Sequence, residues 1–409
     1  MTRLLTVCAV LMTAASAFAS DEVPGKASDK PTAVVGVTVH GPDGAAENQT
    51  VLIKDGLISA IGEEAAGEDA ETIDGAGLHL YPALFEAYSQ MGLVEISSVR
   101  ASNDYDEAGL VNPNVRADKA INPDSEIIPV TRSNGVLLAM TCPTGGLISG
   151  QTAVLQLDGW TTEDMTLLPR AAMVVNLRSA ANAERLEEMF AEARRYEAAQ
   201  KAGEEPRHDL RLEALLPILN GQQPVIIRAD RWQSITGAVA FAQKNGLKLI
   251  ILGGYDAPRC AALLKKYDVP VILSAVHRQP IYRHDAYDAA YTLPQRLQEL
   301  GIRYCICGYD RSETWNTRNL PYHAATAAAY GLDVDEALRA ITLYPAQILG
   351  VADKVGSLEV GKQATMILTT GNPLEAATEV KAAWVQGRPV DLDDKQKALY
   401  RKYQQKYAD

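Results

Sequence analysis

From Tyr81 onward the chain alternates two kinds of stretch. Apolar runs of strand length are VLLAMTC (136–142), AAMVVNL (171–177), PVIIRAD (224–230), LKLIILGG (247–254), VPVILSAV (269–276) and IRYCICGYD (302–310). Between them lie helix-length amphipathic stretches such as NAERLEEMFAEARRYEAAQKAG (182–203) and QSITGAVAFAQKNG (233–246). Near-continuous Val/Ile/Leu strands separated by helices predict a parallel sheet buried on both faces. Repetition of that unit around eight times predicts an α/β fold, a (β/α)8 TIM-like barrel over residues 81–349. The competing open, doubly wound sheet would want a Gly-rich phosphate loop after its first strand, and none is present.

The two ends carry a different rhythm. TAVVGVTVHGPDG (32–44) and QTVLIKDGLISAIGE (49–63) alternate apolar and polar residues, with a hairpin signal at Asp55-Gly56. After Gly350, VGSLEVGKQATMILTTGNP (355–373) and VKAAWVQGRPVDL (380–392) return to short strands and turns. Residues 20–80 and 350–392 are therefore predicted to pair into one composite β-sandwich beside the barrel. Residues 393–409 read as a helical surface tail. The first twenty residues, MTRLLTVCAVLMTAASAFAS, combine a basic start, a short apolar run and a small-residue Ala17-Phe18-Ala19 site. They predict a signal peptide over 1–19 and a secreted, periplasmic mature chain.

Composition changes this picture little. The chain is 47% hydrophobic and 22% charged with a net charge of -12, which disfavours nucleic acid and anionic lipid as partners. No later apolar run reaches membrane length. The mature cysteines, Cys142, Cys260, Cys305 and Cys307, lack Cys-x-x-Cys spacing, so buried thiols are expected rather than a zinc site or a disulfide framework.

Three segments, GLISGQTAVLQLDGW (146–160), RNLPYHAATAAAYGL (318–332) and ALRAITLYPAQILGVADKVGSLEVGKQATMIL (337–368), resemble the amidohydrolase superfamily, in its imidazolonepropionase-like branch. The last is similar to the family's passage from the final barrel helix back into the sandwich. The family usually has Ala-Asp-Leu where this chain has Ala364-Thr365-Met366. The resemblance implies metal-assisted hydrolysis, with ligands at the C-terminal ends of barrel strands and an aspartate moving protons.

The residues at those positions depart from the family pattern. The first strand lies in YPALFEAYSQMGL (81–93), where alternation puts Glu86, Tyr88 and Gln90 on one face. By resemblance Glu86 stands at the family's aspartate, and Tyr88 and Gln90 stand at its two histidines. Phenol and amide are poor zinc ligands. Arg228 falls at a third histidine position and has no lone pair to offer. Gly254 or Tyr255 falls at a fourth. Asp310 stands at the catalytic aspartate and, with Arg228, forms the candidate catalytic pair, a guanidinium replacing the ion. Asp230 is the alternative partner of Arg228. No metal is expected at the usual site. Zinc or a similar divalent ion enters only if relocated to the loop HRQPIYRHDAYD (277–288), with His277, Arg278, His284 and Asp285; a polar, solvated loop is the commoner meaning of such a run. The glycine loop PTGGLISGQ (143–151) could present backbone N–H groups to an oxygen, with Ser149 and Gln151 beside it; a tight structural turn is the alternative. The expected ligand is a small molecule. Two functions stay open: a secreted hydrolase of C–N bonds, or an inactive barrel that binds a ligand. A homo-oligomer, or pairing with a metal-bearing relative, is the partner left open.

Overall fold

The computed structural model describes residues 23–63, 65, 67, 69–308 and 314–407. The expected signal peptide at 1–19 and the candidate Asp310 lie outside the described residues. The strands are β1 (Thr32–Gly41), β2 (Gly44–Lys54), β3 (Leu57–Gly62), β4 (Glu71–Asp74), β5 (His79–Pro82), β6 (Leu84–Ser89), β7 (Val136–Thr141), β8 (Ile148–Gln151), β9 (Ala153–Gln156), β10 (Thr166–Leu168), β11 (Met173–Val175), β12 (Val225–Ala229), β13 (Leu249–Gly253), β14 (Val271–Ser274), β15 (Tyr304–Cys307), β16 (Met366–Thr369), β17 (Val380–Val385) and β18 (Arg388–Pro389).

Both ends of the chain build one eight-stranded sheet, in the order β18-β17-β16-β5-β1-β2-β3, with β4 on β1. Its turns follow from local chemistry. Asp55 (φ 52°) with Gly56 (φ 79°), and Gln386 (φ 50°) with Gly387 (φ 72°), supply the paired positive φ angles of tight hairpins. The sheet curls so that Leu57, at the start of β3, bridges Gln363 on the approach to β16. Val34, Val51, Ile58, Leu80, Met366 and Trp384 are buried inside it.

The rest is TIM-barrel-like, and it differs from eight parallel strands. β6 pairs in parallel with β7, and β11 to β15 pair in parallel in sequence order, which makes seven. The eighth place is taken by the run 148–156, antiparallel to its neighbours: β9 pairs with β7, and β8 pairs with β11. Thr152 joins the two halves. Its N–H donates to the Ala172 carbonyl, and its hydroxyl accepts from the Ala172 N–H. No ladder links β15 to β6 among the described residues. There the Ile306 N–H donates to the Ala340 carbonyl and the Phe85 N–H to the Ile341 carbonyl, so an irregular segment completes the ring. The helices Trp232–Asn245, Ala261–Lys266, Leu293–Glu299 and Leu320–Ala329 follow β12, β13, β14 and β15 and cover the outside. No helix of the described residues is long and apolar enough to cross a membrane. The tail forms a helix, Lys395–Lys406, with every residue exposed.

Candidate functional site

Chemistry in such rings collects where the parallel strands end. Midway along β6, facing the end of β15, Glu86 is 1% exposed. Its Oε2 accepts from the Gly308 N–H at 2.9 Å and its Oε1 from the Tyr88 N–H at 3.2 Å. Burial pushes its carboxyl up to about 8, against the pull of the Gly308, Tyr88 and Ala87 backbone donors. His323, on the helix Leu320–Ala329, comes to the same place. A Cβ added to Gly308 would sit 3.1 Å from Glu86 Oε2 and 3.7 Å from His323 Nε2. The Nδ1 of His323 accepts from the His277 N–H at 3.3 Å, which leaves the proton of the neutral ring on Nε2. Burial, then the neighbouring His277, lowers His323 to about 3, so the ring is neutral at ordinary pH. His277 stacks on His323 with ring centroids 4.2 Å apart. Its Nε2 lies 2.7 Å from Thr326 Oγ1. His323 was not among the candidates; its signal was its place in the segment 318–332, on the helix that follows the last strand.

The ends of β12, β13 and β14 carry a second polar group. Asp230 accepts from Arg278 Nη1 at 3.1 Å, and Arg278 also donates to Ser274 Oγ at 3.3 Å. The Arg278 guanidinium lies over the Tyr255 ring, 5.5 Å from its centroid. Tyr255 donates its hydroxyl to Asp285 Oδ2 at 2.6 Å. Burial and that acceptor push the phenol up to about 12. Tyr282 donates to Asp256 Oδ2 at 2.6 Å. A cleft of about 380 Å³ opens beside Tyr255, Tyr282, His284 and Asp285. Arg228 sits on β12 with an exposed side chain. Asp230 is thus engaged by Arg278. Tyr88 and Gln90 are buried at the end of β6, where the Gln90 N–H donates to Thr314 Oγ1 at 3.3 Å.

The glycine loop is occupied by protein. The segment between β6 and β7 folds over it and takes its donors: the Thr144 N–H goes to the Tyr105 carbonyl, the Ile148 N–H to Leu110 and the Gln151 N–H to Val115. Ser149 donates to the Gly145 carbonyl at 2.6 Å and accepts from Asn176 at 3.0 Å. Gln151 donates to the Pro113 carbonyl at 2.9 Å. Both side chains are buried, beside a turn held by Gly145 (φ 85°) and Gly146 (φ 58°). Cys142, Cys260, Cys305 and Cys307 are buried thiols outside any disulfide. Burial pushes the Cys142, Cys260 and Cys305 thiols up, away from thiolate chemistry.

The described donors do not fit the metal that the fold implies. Gly254 has φ 74°, and a Cβ there would fall 2.3 Å from Val271 Cγ1, so the position accepts no ligating side chain. Tyr255 is turned to Asp285. In the loop after β14, His277 points to Thr326 while His284 stacks on Tyr282 at 5.4 Å, so the two do not share an ion. Among the described residues no three His, Cys, Asp or Glu side chains converge as a metal site.

A family model described as the Amidohydrolase family matches residues 289–390. The chain is 22% identical over 386 residues to Amidohydrolase tasK of Hapsidospora irregularis, covering 82% of this chain and 39% of that protein. It is 35% identical over 82 residues to an imidazolonepropionase of Syntrophobacter fumaroxidans, covering 20% of this chain and 19% of that one. The chain thus spans well under two thirds of these two relatives. An imidazolonepropionase of Mesorhizobium japonicum is 24% identical over 371 residues, with 80% and 87% covered. Among solved structures, an amidohydrolase from Thermotoga maritima superposes with a TM-score of 0.81 at 24% identity, over 88% of this chain and 99% of that one. A zinc-bound adenosine deaminase from Xanthomonas campestris superposes at 0.52 with 16% identity, over 91% and 97%. The family model over residues 289–390 and the imidazolonepropionase relatives, on a shared fold, make this chain similar to the amidohydrolase superfamily and, within it, to the imidazolonepropionases.

Proposed function

We propose that this chain hydrolyses a C–N bond of a small amide at the C-terminal mouth of the ring, without the family's usual metal. The observation that carries the reading is the pairing of a buried carboxyl lifted to about 8 with a neutral, tautomer-fixed imidazole at one point beside Gly308. Glu86, once ionised, takes a proton from water as the water oxygen bonds to the carbonyl carbon. The His323 Nε2–H faces the oxygen on which charge develops. Glu86 then returns the proton to the leaving nitrogen as the C–N bond breaks. Arg228, exposed on β12, supplies a cation for a substrate carboxylate. Asp310 stays in the proposal as a second proton carrier. The imidazolonepropionase relatives and a solved prolidase of similar fold suggest lactams, N-acyl amino acids and dipeptides as a first panel. Secretion into the periplasm belongs to the same proposal and is checked by the mass of the exported chain.

A second reading, a barrel that binds without turnover, is favoured by Arg228, a guanidinium where the resemblance puts a ligating histidine. The test is a screen of that amide panel with wild type and Glu86→Gln. Turnover by wild type, insensitive to a chelator and lost in the variant, supports hydrolysis. Saturable binding without turnover favours the second reading. Turnover that needs an added divalent ion contradicts both.

A further inference from the structure

We infer that the opposite, N-terminal face of the ring holds a second binding site, for an amphipathic organic anion. A cavity of about 580 Å³ opens there, large enough for a one- or two-ring molecule. It lies where β12, β13, β14 and β15 begin, far along the strands from Glu86. Apolar walls come from Pro224, Leu249 and Val269. Three cations line it, Arg170, Lys248 and Arg303, against one carboxylate, Asp268. Asp268 is taken by Arg303, whose Nε donates to Oδ1 at 2.7 Å. Arg170 and Lys248 have no ion-pair partner among the described residues, and both are exposed. In a chain of net charge -12, two unpaired cations over an apolar wall make a local field that selects an anion.

The backbone at the cavity's edge is also held in place. Arg170 has φ 53°, a region disfavoured for any residue with a Cβ. The Gln223 amide fixes it, donating Nε2 to the Arg170 carbonyl at 2.8 Å, and leaves its own Oε1 buried without a partner. An amide that forgoes one bond to hold a strained arginine at a cavity mouth is not explained by packing alone. Ring folds of this kind keep their catalysis at the other face, so this site is separate from the proposed reaction.

The test uses the full mature chain and two dyes. 8-Anilinonaphthalene-1-sulfonate has two ring systems and a sulfonate; N-phenyl-1-naphthylamine has the same rings without the charge. The sulfonate dye is expected to bind saturably, one per chain. Its Kd should rise tenfold or more in Lys248→Glu and in Arg170→Ala, with circular dichroism unchanged, and should rise with salt. The uncharged dye should bind more weakly and be indifferent to both substitutions. Wild type that fails to bind the sulfonate dye overturns the inference. So do variants that bind it as wild type does, or equal binding of the two dyes. Retention of binding in Glu86→Gln separates this site from the proposed active one.

Discussion

Glu86 is the residue on which most turns, and its proton makes a claim about stability. Its folded-state value, about 8, stands above the ordinary 4.5, so the native chain binds this proton more tightly than the unfolded one. The contribution is fully present below about 4.5 and is lost as pH rises through about 8. Glutamine resembles the protonated side chain and does not titrate. The stability of Glu86→Gln relative to wild type should therefore improve from pH 4.5 to 8, by an amount on the order of 4 kcal/mol. Urea unfolding at a series of pH values checks this; parallel curves would refute it. Turnover, where found, should rise with pH through the same region. His323 has the opposite sign: lowered to about 3, it destabilises the fold as pH drops from 6.5 towards 3. Gly254 makes a separate point. The resemblance offered it as a lost histidine, yet its positive φ and the nearness of Val271 are invisible in a sequence. Gly254→His should destabilise by several kcal/mol and bind no zinc, read by thermal unfolding with and without the ion. Tyr255, the other choice at that position, was legible as a polar wall residue but not as the donor to Asp285.

The elements were legible where their pattern was strong. Six of the seven parallel strands, β7 and β11 to β15, coincide with apolar runs of the sequence, because they are largely buried on both faces, while β6 (LFEAYS) is marked by the resemblance instead. The run 148–156 carries a resemblance to the family and no clear strand pattern. It is short, contains Gly150, Gln151 and Thr152, and takes its partners from two separate strands. Thr152→Val keeps the shape and removes the hydroxyl that accepts from Ala172, so it should cost about 1 kcal/mol in urea unfolding. No change would mean that the junction does not depend on that bond. The segment between β6 and β7 carries no strong pattern: it holds short turns and the helix Ile127–Arg132, and its bonds to the glycine loop, at Tyr105, Leu110, Asn112 and Val115, are non-local. That is why the glycine loop looked free to bind an oxygen. Gly308→Ala tests the geometry at the end of β15. A methyl between Glu86 and His323 should impair turnover or ligand binding at least tenfold, while thermal unfolding moves little.

At the scale of the whole molecule, the ends of the chain meet because β5 lies between β1 and β16 and is bonded to both. The one sheet therefore depends on residues more than three hundred positions apart in sequence. A chain ending at Gly350 would lose β16 to β18 and expose Leu80 and Ile58; it should be insoluble, and a soluble, cooperatively folding product would contradict this. Pairing of the two ends could be read from their matching rhythm. The pairing of Glu86 with His323 could not, since they are brought together where β15 adjoins β6, by a helix that the sequence marks only through its resemblance to the family. The central claim is that this mouth works without a tightly held metal. Elemental analysis of the dialysed, purified mature chain tests it most directly. The account predicts no transition metal above background in protein that binds or turns over its ligand; about one ion per chain, retained through dialysis and removed together with activity by a chelator, would contradict it.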